Sequence, residues 1–528
     1  MKNLIGILLA CIIFNSSVFA GNYTWTGTTN SNWDASSNWS PAGIPGSSDT
    51  ININSTTNSL TLTANQTVKR LTMNSGILDL GGDTLTITGS SGLHGGNINN
   101  GHFKTQTSGL IYFHGTNFGA EVSAVGQIKL DGSVFDSTAY FEHNSSASGT
   151  GAGGNTFNGV TTLKNAGTTT FRTAGTNSDT FNNNVFLISA SSAGSSNFQM
   201  SYGAATYFNG NIEVTSSSTF GISCSSAGNG SSTLANGKTI TIGSGGFTGT
   251  LLIKNFTQTG STAQSLSLTG VLNIANSTFN GSFTSSSSSI LLSGCNFNNQ
   301  ASFTKTGTAN DFSAGGNYFA NTTTFTNSSS TTAKIRLAAT SGDSFGGDVT
   351  FNTSNGLIEV AYTDTSEFHG DVSINNSKVT FNNSSGFLMF TGATSQQIDG
   401  SADYKIGKLI VNKTTNGVTL ERAVTIDSIL TFTNGIIYTD TINLVTLKAG
   451  SICNGASSLS YVEGPIKKIG NTSFIFPVGK SHRIGFIEMS SPSNITDSYI
   501  AEYFTGIQNI GDRTEENIGN LSGCGFGF

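Results

Sequence analysis

The sequence predicts an all-β chain built as a right-handed parallel β-helix, with a C-terminal β-sandwich-like module. Three observations predict it. First, a phenylalanine returns about every 23 residues in one recurring phrase, and repeats of that length mark stacked architectures. The clearest copies are Asn155-Thr-Phe157-Asn-Gly-Val160, Asp179-Thr-Phe181, Thr206-Tyr-Phe208, Asp343-Ser-Phe345-Gly-Gly-Asp-Val349 and Glu367-Phe368-His-Gly-Asp-Val372, with weaker echoes at Phe118, Phe135, Phe247, Phe279, Phe297 and Phe319. Second, between the phenylalanines lie short strand-forming runs such as Gln127-Ile-Lys-Leu130, Leu251-Leu-Ile253 and Val271-Leu-Asn-Ile274. Clusters of Ser, Thr, Asn and Gly separate them, which is turn chemistry. Third, beyond residue 20 no stretch sustains a helical period. With 66 glycines and only five prolines, turns reach positive φ while ladder N–H groups are kept.

Taken in order, the chain opens on Met1-Lys-Asn, an apolar run over Leu4–Phe14 and then Val18-Phe-Ala20 before Gly21. A basic start, an apolar stretch and a small-residue site read as a secretory signal peptide, residues 1–20, cleaved after Ala20. Residues 21–50 hold all three tryptophans, Trp25, Trp33 and Trp39. A solenoid needs cover for its first coil, and these rings suit an N-terminal cap. The competing reading makes them a flat aromatic platform for a glycan. Residues 51–455 carry the solenoid. A single coil of this size cannot bury its own apolar face, whereas stacked coils can, at about 4.8 Å per rung. The repeated Phe then sits inward on the Phe of the next coil. Asn184, Asn211, Asp348 and Asp371, each three residues after its Phe, are expected to form a side-chain ladder at one turn. Residues 456–528 form the β-sandwich-like module, which ends at Leu521-Ser-Gly-Cys524-Gly-Phe-Gly-Phe528 as though truncated.

Composition narrows the function classes. Charged residues are 10% of the chain and the net charge is −6, so no basic face for nucleic acid is expected. No later segment is apolar enough for a transmembrane helix. The cysteines left after signal cleavage, Cys224, Cys295, Cys453 and Cys524, lack CxxC spacing and read as single thiols rather than a zinc site or disulfide framework.

Candidate chemistry is sparse. Between Glu213 and Asp311 the only charged residues are Lys238, Lys254 and Lys305, so the central coils offer no carboxylate for acid–base work or calcium. Two clusters stand outside that stretch. The first spans His94, His102, His114, Asp131, Asp136, Glu142 and His143. The spacings of His94, His114 and Asp136 are near one coil each, which would stack them for a transition metal or for proton transfer; surface turn residues are the plainer reading. The second holds Asp343, Asp348, Asp364, Glu367 and Asp371. Asp348 above Asp371 would supply few of the six or more oxygens a calcium ion takes. No Ser/His/Asp signature, phosphate loop or metalloprotease motif occurs, and nothing points to a cofactor.

The N-terminal Tyr23-Thr-Trp25-Thr-Gly27, Asn38-Trp39-Ser-Pro41 and Asp49-Thr-Ile51 resemble the W-x-G…NW-x-P…D-x-I opening of secreted surface proteins of Bacteroidetes-type bacteria. Gly464-Pro-Ile-Lys-Lys-Ile-Gly470, Phe474-Ile-Phe476-Pro-Val-Gly479 and Ala501-Glu-Tyr503 are similar to a C-terminal module of the same proteins. The resemblance implies an exported, repetitive, adhesin-like protein of the type IX secretion group, with the usual C-terminal sorting domain not recognisable. The sequence therefore favours a secreted or outer-membrane-surface adhesin or structural scaffold without an active site. Its expected partner is an extracellular polysaccharide or the surface of a host or neighbouring cell. The alternative is a pectate-lyase-like carbohydrate-active enzyme or polysaccharide-binding protein.

Overall fold

In the computed structural model, residues 20–54, 58–191, 198–217, 219–224, 229–381, 385–505 and 526–527 are described. The proposed signal segment up to residue 19, Cys524 and most of the final stretch lie outside them. The described chain is all β, with the 3-10 turn Ser36–Asn38 as its one helical piece. It forms two compact units, Met1–Ser145 and Ser146–Phe528. Both are parallel β-helices of stacked coils.

In the first unit, one inward column runs Ile53, Met73, Leu93, Phe113 and Leu130, in register from rung to rung. All five are buried. A second runs Leu60, Leu78, Ile98, Phe118 and Phe135, with the last two rings stacked at 5.1 Å. Each apolar side chain alternates with an outward polar one, the period-2 pattern of a strand with one buried face. The N-terminal strand Asn22–Trp25 adds to this stack parallel to Thr50–Ile53 and antiparallel to Trp39–Ser40. Trp25, Trp33 and Trp39 are all buried. Trp39 meets Trp25 and Trp33 edge to face at 5.1 and 5.0 Å, and its indole N–H donates to the Trp33 carbonyl.

In the second unit the phenylalanine column is continuous over long runs. Phe157, Phe181 and Phe208 stack at 4.4 and 5.5 Å. Phe279, Phe297, Phe319, Phe345 and Phe368 follow at 5.6, 5.3, 5.0 and 4.9 Å. Between the runs, Leu234 and Gln258 take the register after Phe208. Gln258 is buried, and its side-chain carbonyl accepts the Gly281 amide. Phe247 is not part of this column. It pairs with Ser216 in a different sheet of the coil, because it falls midway between the column positions Leu234 and Gln258.

Polar ladders differ from expectation in an instructive way. Asn184 and Asn211 do not bond side chain to side chain: Asn184 Oδ1 accepts the Asn211 backbone N–H and Asn211 Oδ1 accepts the Thr239 backbone N–H. Asp348 accepts the Asp371 amide, and Asp371 accepts the Gln397 amide, in the same manner. These residues satisfy backbone N–H groups where the chain turns and the regular ladder is interrupted. The true side-chain ladder lies one residue after the Phe, where Asn182 donates to Asn158 at 2.7 Å and Asn209 to Asn182 at 2.8 Å. Two residues before the Phe runs a buried polar column. Cys295 N–H donates to Asn317, and Asn317 donates its amide N–H and side-chain N–H to Asp343 at 3.0 and 2.9 Å. Asn155 and Asp179 repeat that pair.

Parallel stacking continues across residue 455. Val445 pairs with Ile466 and Val462 with Val478. The direction then reverses: Phe474–Lys480 forms a hairpin with Arg483–Met489, and Ile466–Ile469 pairs antiparallel with Ser498–Tyr503. These pairings occupy strand edges that would otherwise template association. Lys413 and Lys468 of the second unit are buried. Lys413 donates to the Thr391 and Thr394 carbonyls and to Gln396, and Lys468 to the Lys448 and Ser451 carbonyls. Burial pulls the Lys413 ammonium down to about 8, opposed by the nearby Asp371.

Phe345 lies between Phe319 and Phe368 and is 1% exposed. Phe345→Ala is expected to cost about 3–5 kcal/mol, the range for emptying a buried aromatic site, while Asn209→Ala in the exposed ladder should cost under about 1 kcal/mol. Denaturant unfolding of the two variants checks the contrast; equal losses would contradict the assignment of the Phe column as the stabilising element.

Candidate functional site

In the first unit, His94 follows the strand Ser91–Leu93, His114 ends the strand His102–His114, and Asp131 ends Glu121–Asp131. Successive rungs therefore place the three residues one above another. The register pairs His114 with Asp131. His114 Nδ1 lies 2.9 Å from Asp131 Oδ2, and the Tyr112 hydroxyl donates to the same oxygen at 2.8 Å. The His94 ring is 5.9 Å from that of His114 and 5.5 Å from that of Tyr112. Gly92 leaves the space that His94 occupies, since a Cβ there would stand 2.6 Å from His94 Nε2. The Tyr112 hydroxyl is held above its ordinary pKa, chiefly by burial and then by Asp131. The arrangement can orient one imidazole by a carboxylate, as in an acid–base pair. Sequence spacing brought out His94 and His114. It placed Asp136 with them, yet Asp136 follows Phe135 on another sheet of the coil, with its amide on the Phe118 carbonyl. Asp131 and Tyr112 take the positions beside the histidines. The parity of the strand was the signal for Tyr112, two residues before His114 and on the same face.

A shallow groove of about 400 Å³ opens on the same strands, lined by His102, Lys104, Glu121, Ser123 and Tyr140 among others. His102 Nδ1 is 2.9 Å from Glu121 Oε2, with both side chains more than half exposed. Tyr140 donates to Glu142. His143 points inward and is fully buried, which pulls its imidazole down to about 4.

The second cluster is not one site. Asp343 belongs to the buried polar column inside the second unit. Asp348 and Asp371 stand on adjacent rungs with a carboxylate oxygen each given to a backbone amide. Asp364 accepts the Gly342 amide, and Glu367 lies 3.8 Å from His369. Among the described residues no group of three or more His, Cys, Asp and Glu is arranged to hold a metal ion. The buried tryptophans offer no flat face to solvent. Cys224 and Cys295 are buried free thiols and Cys453 is a partly exposed one; burial pushes Cys224 and Cys453 up to about 12.

Sequence reasoning singled out neither Arg172 nor Glu359, which lie on two separate sheets of the second unit. Arg172 lies over the Tyr202 ring at 4.2 Å and donates from Nε to Gln199 at 2.7 Å. Arg336 lies over Phe312 and Tyr362 at 4.4 and 4.7 Å, and Glu359 accepts from both Arg336 and Lys334. Lys305 and Asp311 are sequestered as a fully buried ion pair at 2.9 Å. The central coils thus keep only Lys238 and Lys254 as surface charges between Glu213 and Asp311. No family model, curated protein or solved structure matches this chain.

Burial raises the Asp343 carboxyl to about 6, against the Asn317 donors and the Ala338 amide that favour its charged form. A raised acid pKa means the folded state binds the proton more tightly. The resulting stability is present below the unfolded value near pH 4 and lost as pH rises through 6. Asp343→Asn keeps the acceptor oxygen without the charge. The variant should match the parent at pH 3.5 and exceed it at pH 7 by about 1–3 kcal/mol, read from denaturation midpoints at the two pH values. A variant less stable than the parent at pH 7 would contradict this placement of the charge.

Proposed function

We propose that this chain is a secreted or cell-surface bacterial β-solenoid, adhesin-like or scaffolding, which engages extracellular polysaccharide or another cell's surface through weak repeated contacts. The observation that carries the reading is the distribution of ionisable groups. The central coils between Glu213 and Asp311 carry no carboxylate, and the carboxylate that follows them, Asp311, is sealed inside with Lys305. Glycoside cleavage by paired carboxylates needs two such groups some 5–10 Å apart across a substrate cleft, roughly the range seen in retaining and inverting enzymes. What these coils present instead is a field of Ser, Thr and Asn rungs, including the exposed pair in which Asn298 donates to Asn280. A lattice of identical weak donors and acceptors gains strength from multivalency. The basic start, apolar run and small-residue site at Ala20 support export. The likeness to Bacteroidetes-type surface proteins at Trp25–Ile51 and Gly464–Tyr503 supports a type IX route.

One observation favours a second reading, a carbohydrate-active site on the first unit. His114 paired with Asp131, next to His94, is a proton-transfer arrangement in a chain poor in ionisable groups.

Two measurements test these readings. N-terminal sequencing of the exported protein is expected to begin at Gly21; an intact Met1 terminus on surface material would contradict export by signal cleavage. Intact chain should be retained on immobilised polysaccharide without shortening it. Chain shortening that disappears in His114→Ala would replace the adhesin reading with the enzymatic one.

A further inference from the structure

Two separate sheets of the second unit, one through Phe171–Arg172 and one through Lys334–Arg336, each hold a copy of one motif. Arg172-Thr-Ala174, Asp179 and Phe181 recur as Arg336-Leu-Ala338, Asp343 and Phe345. Gln199, Tyr202 and Phe208, one rung on, recur as Glu359, Tyr362 and Phe368. The backbone follows: Ala174 and Ala338 both take φ near +50° (47° and 55°), as do Ser201 and Ala361 (57° and 51°). In each copy the arginine is paired in register with the residue at Gln199 or Glu359 and covered by the tyrosine three residues later.

The copies differ at the guanidinium. Arg336 has its own carboxylate, Glu359, shared with Lys334, and the Phe312 and Tyr362 rings near its guanidinium. Asp364 lies two residues beyond Tyr362, where the first copy has Ala204. Arg172 meets the neutral Gln199 instead, and that oxygen is its one hydrogen-bond partner among the described residues. The register position filled by Phe312 holds Thr150. A guanidinium carries five N–H donors in a fork that matches a carboxylate. In the second copy a carboxylate of the chain meets the fork; in the first, among the described residues, only the neutral Gln199 oxygen does. Gln199 is 6% exposed, so the Arg172 charge sits against a partly desolvated floor where an ion pair is screened less than at an open surface.

Beyond Gln199 the same outward column continues to Ser223 and then Leu252. There a groove of about 300 Å³ is lined by Thr219, Phe220, Gly221, Ser223, Thr250 and Leu252. Two rungs separate Arg172 from Ser223, a distance of about 10 Å. The groove offers an aromatic ring and an aliphatic side chain for the C–H face of a sugar, with hydroxyls beside them.

We infer that Arg172, Tyr202 and the adjoining Phe220–Leu252 groove form a binding subsite for an acidic saccharide, with Arg172 taking the carboxylate or sulfate and the groove taking the neighbouring sugar. This rests on the polysaccharide-binding reading above and assigns it a place and a charge preference. The Arg336 copy is closed by Glu359 and does not bind.

The test uses the intact chain with polygalacturonate, dextran sulfate and neutral dextran in affinity electrophoresis and calorimetry. The parent should bind an anionic polymer, more weakly as salt rises. Arg172→Gln should lose at least tenfold and Arg336→Gln should bind as the parent does. Preference between the two anionic polymers identifies carboxylate or sulfate. Arg172→Lys, which keeps charge without the fork, should fall between parent and Gln variant, and an unchanged melting curve shows that loss is not misfolding. Unchanged anionic binding by Arg172→Gln, or equal losses in both arginine variants, overturns the subsite. Binding to neutral dextran alone overturns it while leaving the broader glycan reading standing. Failure of all three polymers removes the subsite as proposed and counts against the broader reading as well.

Discussion

In-register parallel stacking is the constraint on which the rest of this structure depends. Each coil hydrogen-bonds to its neighbours at about 4.8 Å per rung, so a side chain at any position meets the side chain at the same position one coil away. Like must then tolerate like. Aromatic rings do, which is why Phe319, Phe345 and Phe368 stack nearly parallel along the column with centroids 5.0 and 4.9 Å apart. Carboxamides do as well, because each has both a donor and an acceptor, and Asn158, Asn182 and Asn209 pass hydrogen bonds up the outside. Carboxylates inside the stack do not, whereas outside it Asp348 and Asp371 stand on adjacent rungs, each accepting a backbone amide. Where an acid enters the interior column it stands beside a carboxamide, as Asp179 does beside Asn155 and Asp343 beside Asn317.

The same constraint accounts for the scarcity of charge. A like-charged ladder would repel at every rung, and an unpaired charge inside would bear an uncompensated desolvation cost. The charges that do enter are matched locally. Lys305 has Asp311, and Lys413 and Lys468 reach main-chain carbonyls at the coil corners. Groups free to do chemistry or binding are therefore few, and each breaks the column around it. His114 and Asp131 meet as an acid and a base on adjacent rungs. Arg172 and Arg336 meet Gln199 and Glu359. Heterogeneous neighbours in a fold that favours identical ones mark the places where function is to be sought.

Much of the architecture was legible along the chain. The Phe period, the short strands and the turn chemistry specified a parallel solenoid, and the inward placement of Phe157 through Phe368 followed directly. Less of the candidate sites was legible. Phe247 shares the residue type but not the sheet, because it falls midway between the column positions Leu234 and Gln258, about half a coil round. Asn184 and Asn158 lie in the same phrase, yet one bonds the backbone and the other its like. Asp136 fits the coil spacing of His94 and His114, whereas Asp131 is the residue beside them.

The sequence by itself determined the repeat, the identity of the stacking residue, the poverty of charge in the central coils and the presence of a tryptophan-rich start. Only the tertiary structure decided which sheet each residue joins and on which side of it the side chain lies. A strand alternates faces with every residue, so a shift of one position carries a group from core to solvent, and coil lengths vary by more than that. The burial of Asp343 is set by that parity, which the spacing of repeats alone does not contain, whereas Arg336 differs from Arg172 through the residue on the next rung, Glu359 in place of Gln199.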